Sequence, residues 1–173
     1  MNRLARVALP AVVLTLVACF EPHPLGPSSM LAERPILLAW GPATPNFNLE
    51  VVLRATTGTG FGLVKFRQPK DDAFIVHLDT WVRDLAPNHG YHLQRAVDLV
   101  VDDDCTSADW LTLGQGLTPF AIITDDRGTG SAALWRAVPM LPGTEFDIHF
   151  RVVDDVSGNV ALQSECYQYQ ISM

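Results

Sequence analysis

The stretch Phe146-Asp147-Ile148-His149-Phe150-Arg151-Val152 alternates apolar and polar residues without a break. A period of two places Phe146, Ile148, Phe150 and Val152 on one face of a strand, with Asp147, His149 and Arg151 on the other. The same alternation sets Phe47, Leu49, Val51 and Leu53 against Asn48, Glu50 and Arg54, and Phe74, Val76 and Leu78 against His77 and Asp79. Further candidate strands cover 61–67, 91–101, 119–124, 131–137 and 160–171. Turn signals fall between them, among them Thr57-Gly58-Thr59-Gly60, Pro69-Lys70-Asp71-Asp72, Pro87-Asn88, Asp126-Arg127-Gly128, Pro142-Gly143 and Ser157-Gly158-Asn159. About eight strands and no amphipathic helix predict an all-β, antiparallel β-sandwich.

Upstream, the chain changes character. Arg3 and Arg6 precede the apolar run Val7–Ala18, and small residues lead to Cys19. The pattern is that of a secretory signal, and its apolar run is too short for the ~20 residues of a membrane-spanning helix. Leu16-Val17-Ala18-Cys19 resembles the bacterial lipoprotein box, which implies cleavage before Cys19 and diacylation of that cysteine. Phe20 stands where an aspartate would favour inner-membrane retention, so the resemblance favours the outer membrane. The expected organisation is a signal peptide over 1–18, a tether over 19–35 and a β-sandwich domain over 36–173. Pro22, Pro24, Pro27 and Pro35 exclude regular helix from the tether and its border, and His23 is read as a solvated linker residue.

Composition narrows the partners. Removing Arg3 and Arg6 from a chain of net charge −7 leaves −9. That surface argues against nucleic acid, which requires clustered cations, and against electrostatic binding to anionic lipid. The acyl groups on Cys19 are then the expected membrane contact. In an oxidising compartment, Cys105 and Cys166 read as a disulfide, the alternatives being two buried thiols or a metal pair.

His89-Gly90-Tyr91-His92, followed by Cys105 and by Cys166 near the C-terminus, resembles the copper/zinc superoxide dismutase family. Asp154-Asp155 after His149 and Gly158-Asn159 before Cys166 extend the likeness, which touches scattered points from about 58 to 173. The resemblance implies a Greek-key sandwich, Ig-like or superoxide dismutase-like, with one disulfide. It assigns His92 to the first copper ligand and His149 to the last. Gln94 replaces the second histidine, and no histidine between Cys105 and Gly130 supplies the bridging or zinc ligands. An incomplete imidazole set argues against dismutase activity. His92, Gln94 and His149 remain weak metal candidates, weighed against roles as polar residues of a non-core face. His89 is expected in a turn and His77 on a wet or half-covered strand face.

Other chemistry is sparse. Thr124-Asp125-Asp126-Arg127-Gly128-Thr129-Gly130 is the most loop-like acidic segment, yet it lacks the ligand spacing of a calcium loop and reads as a solvated turn. There is no Gly-x-Ser-x-Gly, His-Glu-x-x-His or Gly-rich phosphate loop. Among Trp40, Trp81, Trp110 and Trp135, only Trp81 shares the parity of His77 and Asp79, which invites an exposed position. The expected function is a non-catalytic binding or structural module at the cell envelope, without cofactor, facing an envelope protein or glycan. The alternative is a copper- or zinc-handling domain.

Overall fold

The computed structural model describes residues 47–69 and 73–171, so Cys19, the signal, the tether, Trp40 and Asp71-Asp72 lie outside the described residues. Each alternating segment of the sequence becomes a pleated strand. The long ones are β1 (Phe47–Ala55), β2 (Phe61–Gln68), β3 (Ile75–Arg83) and β4 (Gly90–Asp98). After four two-residue strands, β5 (Leu111–Thr112), β6 (Gly114–Gln115), β7 (Thr118–Pro119) and β8 (Ile122–Ile123), come β9 (Gly130–Ala137) and β10 (Glu145–Asp154). β11 (Val160–Ser164) and β12 (Tyr167–Gln170) complete the set, and the described residues contain no helix.

These strands hydrogen-bond in the order β5-β4-β10-β11-β1-β2-β3-β9-β6-β7, with β12 on β10 and β8 on β4. Every pairing is antiparallel except the single β6–β9 contact at Gln115 and Trp135. β8 pairs with Gly90 and Tyr91 of β4, while the adjacent Thr124 bridges to Gly130 at the start of β9. The two ends of the order are thereby drawn together, and the sheet curls nearly into a barrel. Twelve strands in one mixed sheet replace the eight expected in a purely antiparallel arrangement. The differences are local. Segment 91–101 stops pairing at Asp98 because the chain leaves the sheet with Leu99 and Val100 exposed. Segment 160–171 is divided by Glu165 and Cys166, and 119–124 contributes only scraps of strand. Phe74 takes a φ of 49°, so β3 begins one residue later than the alternation implied.

One parity of each long strand points into a shared core. Leu49, Val51 and Leu53, Val64 and Phe66, Val76 and Leu78, Leu93, Leu134, Ile148, Phe150 and Leu162 are all buried there. Full burial of such side chains contributes about 1.5–3 kcal/mol each. Phe66 meets Tyr169 edge-on at 4.4 Å between centroids and Phe150 at 6.2 Å, joining β2 to β12 and β10. The Tyr169 hydroxyl donates to Gln68 Oε1 at 2.8 Å, and burial raises its phenol well above the ordinary value.

The opposite face of β10 departs from the half-buried pattern. Asp147 and His149 are as inaccessible as the core, because residues 99–110 fold across them. Asp147 lies directly opposite Asp98 of β4, a like-charge pair that opposes pairing. The covering loop compensates with charge-assisted hydrogen bonds. Asp147 Oδ2 accepts from the backbone N–H groups of Asp102 and Asp103, and Asp98 Oδ2 accepts from that of Ser107. The Cys105–Cys166 disulfide, with its Cα atoms 5.4 Å apart, ties this loop to the β11–β12 junction.

Candidate functional site

The three residues carried over from the dismutase motif share a sheet face without converging. His92 pairs with Val153 and His149 pairs with Ala96, so four residues of strand, roughly 13 Å, separate them. The rung between is filled by a cation: Arg151 Nε donates to Gln94 Oε1 at 2.7 Å, and its guanidinium lies 4.0 Å above the Trp110 ring. Gln94 Nε2 donates in turn to Thr112 Oγ1 at 3.0 Å. His149 sits beneath Trp110, with Nε2 3.1 Å from the Ser107 carbonyl oxygen. A carbonyl only accepts, so that nitrogen carries its proton and is occupied. His92 Nδ1 is buried with no hydrogen-bond partner among the described residues.

A different histidine gathers acids. At the end of the sheet where β4 begins and β10 ends, His89 Nε2 lies 2.7 Å from Asp154 Oδ2 and 4.0 Å from Asp155 Oδ1. The three offer ligand atoms all within 4.8 Å of one another, a nitrogen and oxygen set that zinc accepts. The chain reaches this geometry through Gly90, since a Cβ there would collide with the Asp155 carboxylate. Asp154 also closes its own turn, because Oδ1 accepts from the backbone N–H groups of Ser157 and Val156. Those bonds, that of Ser157 foremost, hold its carboxyl below the ordinary range against some desolvation.

The opposite end holds a feature the sequence reading passed over. An apolar pocket opens between the strands, walled by Val76, Leu78, Leu113, Phe146 and Ile148 and flanked by Arg95 and Arg136. Both arginines occupy the inward parity of their strands. Arg95 follows Tyr91 and Leu93 on β4, where it pairs with Phe150, and Arg136 follows Ala132 and Leu134 on β9. Among the described residues neither forms an ion pair with a carboxylate. Arg136 makes one long bond, from Nη1 to the Gly116 carbonyl at 3.5 Å. Burial lowers the Arg95 pKa from its ordinary value, and the neighbouring Arg136 charge lowers it further. The signal was present in the sequence as two cations breaking an apolar period of two.

The remaining candidates are structural or external. Asp125 Oδ1 accepts from the backbone N–H groups of Arg127 and Thr129, turning its charge onto its own loop. Trp81 is on the outer face at 38% exposure, and Trp135 joins it there at 39%. His77 pairs with Trp135 across the same outer face. No helix among the described residues is long and apolar enough to cross a membrane. No protein-family model, curated protein or solved structure matches this chain.

Proposed function

We propose that the protein is an extracytoplasmic binding module held at the cell envelope, outer membrane favoured, by lipid on Cys19. The carrying observation for binding is the apolar pocket with Arg95 and Arg136 on its flanks. A core formed only for stability would favour Leu or Met at those inward positions, which here hold two part-buried cations without a carboxylate partner among the described residues. Xenon supplies a neutral probe of the pocket, because dry apolar cavities take it up. In methyl NMR of the full chain in nanodiscs, xenon should shift Val76, Leu78, Leu113 and Ile148 selectively. Absence of shifts at those methyls defeats the binding reading. The anchor has its own test: Cys19→Ser should move the protein from the membrane to the soluble fraction, and retention on membranes defeats it.

The finer fold reading, a Greek-key, dismutase-like sandwich, belongs to the same proposal. It is supported by the non-sequential neighbours β4–β10, β11–β1 and β3–β9, and by a disulfide from the loop after β4 to near the C-terminus. A second reading, metal handling, is favoured by His89, Asp154 and Asp155 rather than by His92 and His149. Zinc bound per chain should then fall in an Asp154→Asn, Asp155→Asn double variant; equal content in both proteins removes this reading.

A further inference from the structure

Away from the apolar pocket, and sharing no residue with it, an open cleft of about 480 Å³ lies where β3, β8 and β9 meet. Trp81 and Ile123 supply its apolar wall, and Asp125, Thr129 and Ser131 supply a polar one, so both kinds of group open onto it. Such a volume falls within the ~300–1,000 Å³ of small-molecule sites. Local structure fixes both walls. A Cβ on Gly130 would lie 2.7 Å from the Ile123 carbonyl oxygen, so only glycine lets β9 approach residue 123 this closely. The loop beyond is clamped by Asp125 N–H on the Thr129 carbonyl, Gly128 N–H on that of Asp125 and Leu85 N–H on that of Gly128. Asp125 Oδ1 accepts from the backbone N–H groups of Arg127 and Thr129, which orients a carboxylate that has about four acceptor positions in all. Trp81 stands directly across the β3–β9 ladder from Ser131. Phe61 meets its ring edge-on at 6.3 Å between centroids, and the Arg83 guanidinium lies 5.2 Å over Phe61 and 5.8 Å from the Trp81 ring. The indole is thus held in place while 38% of the residue stays exposed.

We infer that this cleft binds a neutral saccharide, one sugar ring stacked on Trp81 and its hydroxyls bonded to Asp125, Thr129 and Ser131. A pyranose carries an apolar C–H face bordered by hydroxyl groups, which matches an aromatic wall set beside a carboxylate and two hydroxyls. Other ligand classes fit less well. Asp125, with Asp126 next to it, repels an anion, and no Lys or Arg among the described residues lines the cleft to offset that charge. The Arg83 guanidinium beside Trp81 repels a cation seated on the indole. A purely apolar ligand would strip water from Asp125 and the hydroxyls without replacing its hydrogen bonds. Trp135 continues the surface: it is 39% exposed on the same outer face, four residues along β9 from Ser131, roughly 13 Å away. Only the small side chain of Ala133 stands between them on that face of β9. An oligosaccharide reaching towards Trp135 should therefore bind more tightly than a single sugar.

Titration calorimetry tests this on the full chain in phosphatidylcholine nanodiscs, with empty nanodiscs as baseline and five probes: cellotetraose, chitotetraose, maltotetraose, tetragalacturonate and glucose. Saturable binding is expected for at least one neutral tetrasaccharide, more tightly than for glucose, and the tightest identifies the linkage. The same ligand should shift the Trp81 indole N–H signal in NMR. Trp81→Ala should weaken binding roughly tenfold or more, the scale of losing an aromatic stacking contact. Trp81→Phe keeps a ring against Phe61 and should recover part of that loss, which separates stacking from damage to the fold. Asp125→Asn, which keeps the acceptor of the turn, should weaken binding while leaving the melting temperature near that of the parent. Saturation of none of the neutral tetrasaccharides would overturn the proposal, as would binding that leaves the Trp81 signal unmoved. Tetragalacturonate binding most tightly would overturn the neutral ligand class. Xenon shifts in the apolar pocket are independent of every one of these outcomes, so the two sites stand or fall separately.

Discussion

At the residue scale, the molecule relies on a few polar side chains that satisfy backbone groups at one end of the sheet. Thr124 is buried and serves three of them: its Oγ1 accepts from His89 N–H and lies 2.7 Å from the Ala86 carbonyl and 3.1 Å from that of His89. Thr124→Val keeps the shape and removes the bonds, leaving a buried amide unpaired. The expected cost is about 1–3 kcal/mol, read from chemical denaturation. Asp154 and Asp125 make a pH prediction. Both carboxyls are held below their ordinary 3.8, Asp154 chiefly by Ser157 N–H and Asp125 chiefly by Thr129 N–H. A depressed folded value means stability that is present above the unfolded pKa and is lost as pH falls through the folded one. The denaturation midpoint should therefore drop as the pH is lowered from about 5 to about 3, and Asp154→Asn should shallow that slope. An unchanged slope would mean that the turn does not use the charge.

At the element scale, the decisive case is β10. Its alternating sequence correctly announced a strand but implied a wet polar face. In the fold, residues 99–110 cover that face, and Asp147, His149 and Arg151 become partners of the loop. Nothing in a period of two reveals a loop that arrives from more than forty residues upstream, because alternation reports only which residues differ in polarity. The disulfide is what ties this cover down. Breaking it with Cys105→Ala and Cys166→Ala, 61 positions apart, should cost about 4 kcal/mol in the chain-entropy picture. Hydrogen exchange should accelerate first at Asp102, Asp103 and Ser107, whose amides are bonded to Asp147 and Asp98. Uniform loss of protection across the sheet would show instead that the loop unfolds only with the whole domain.

At the scale of the whole molecule, one core joins nearly every strand, so damage at its centre should be felt globally. Phe150 is fully buried and meets Phe66 across the interior. Phe150→Ala should destabilise by about 3–5 kcal/mol with a single cooperative transition in calorimetry; two separated transitions would contradict a shared core. Strand parity, the turns between strands and the pairing partner of Cys105 were legible in the residues, because pleating and oxidation depend on local pattern and compartment. The inward positions of Arg95 and Arg136 were legible too, as cations interrupting an apolar parity, but their significance was not. Only the near-closure of the sheet through β8 draws the ends of its order together, and only then do two ordinary strand residues line one pocket. Likewise His92 and His149 share a face by parity, while the register of β4 on β10 sets Arg151 and Gln94 between them. The sequence by itself determined the all-β character and which side chains face inward. The tertiary structure decided which of them meet, because register and sheet closure are set by long-range hydrogen bonds that no local period encodes.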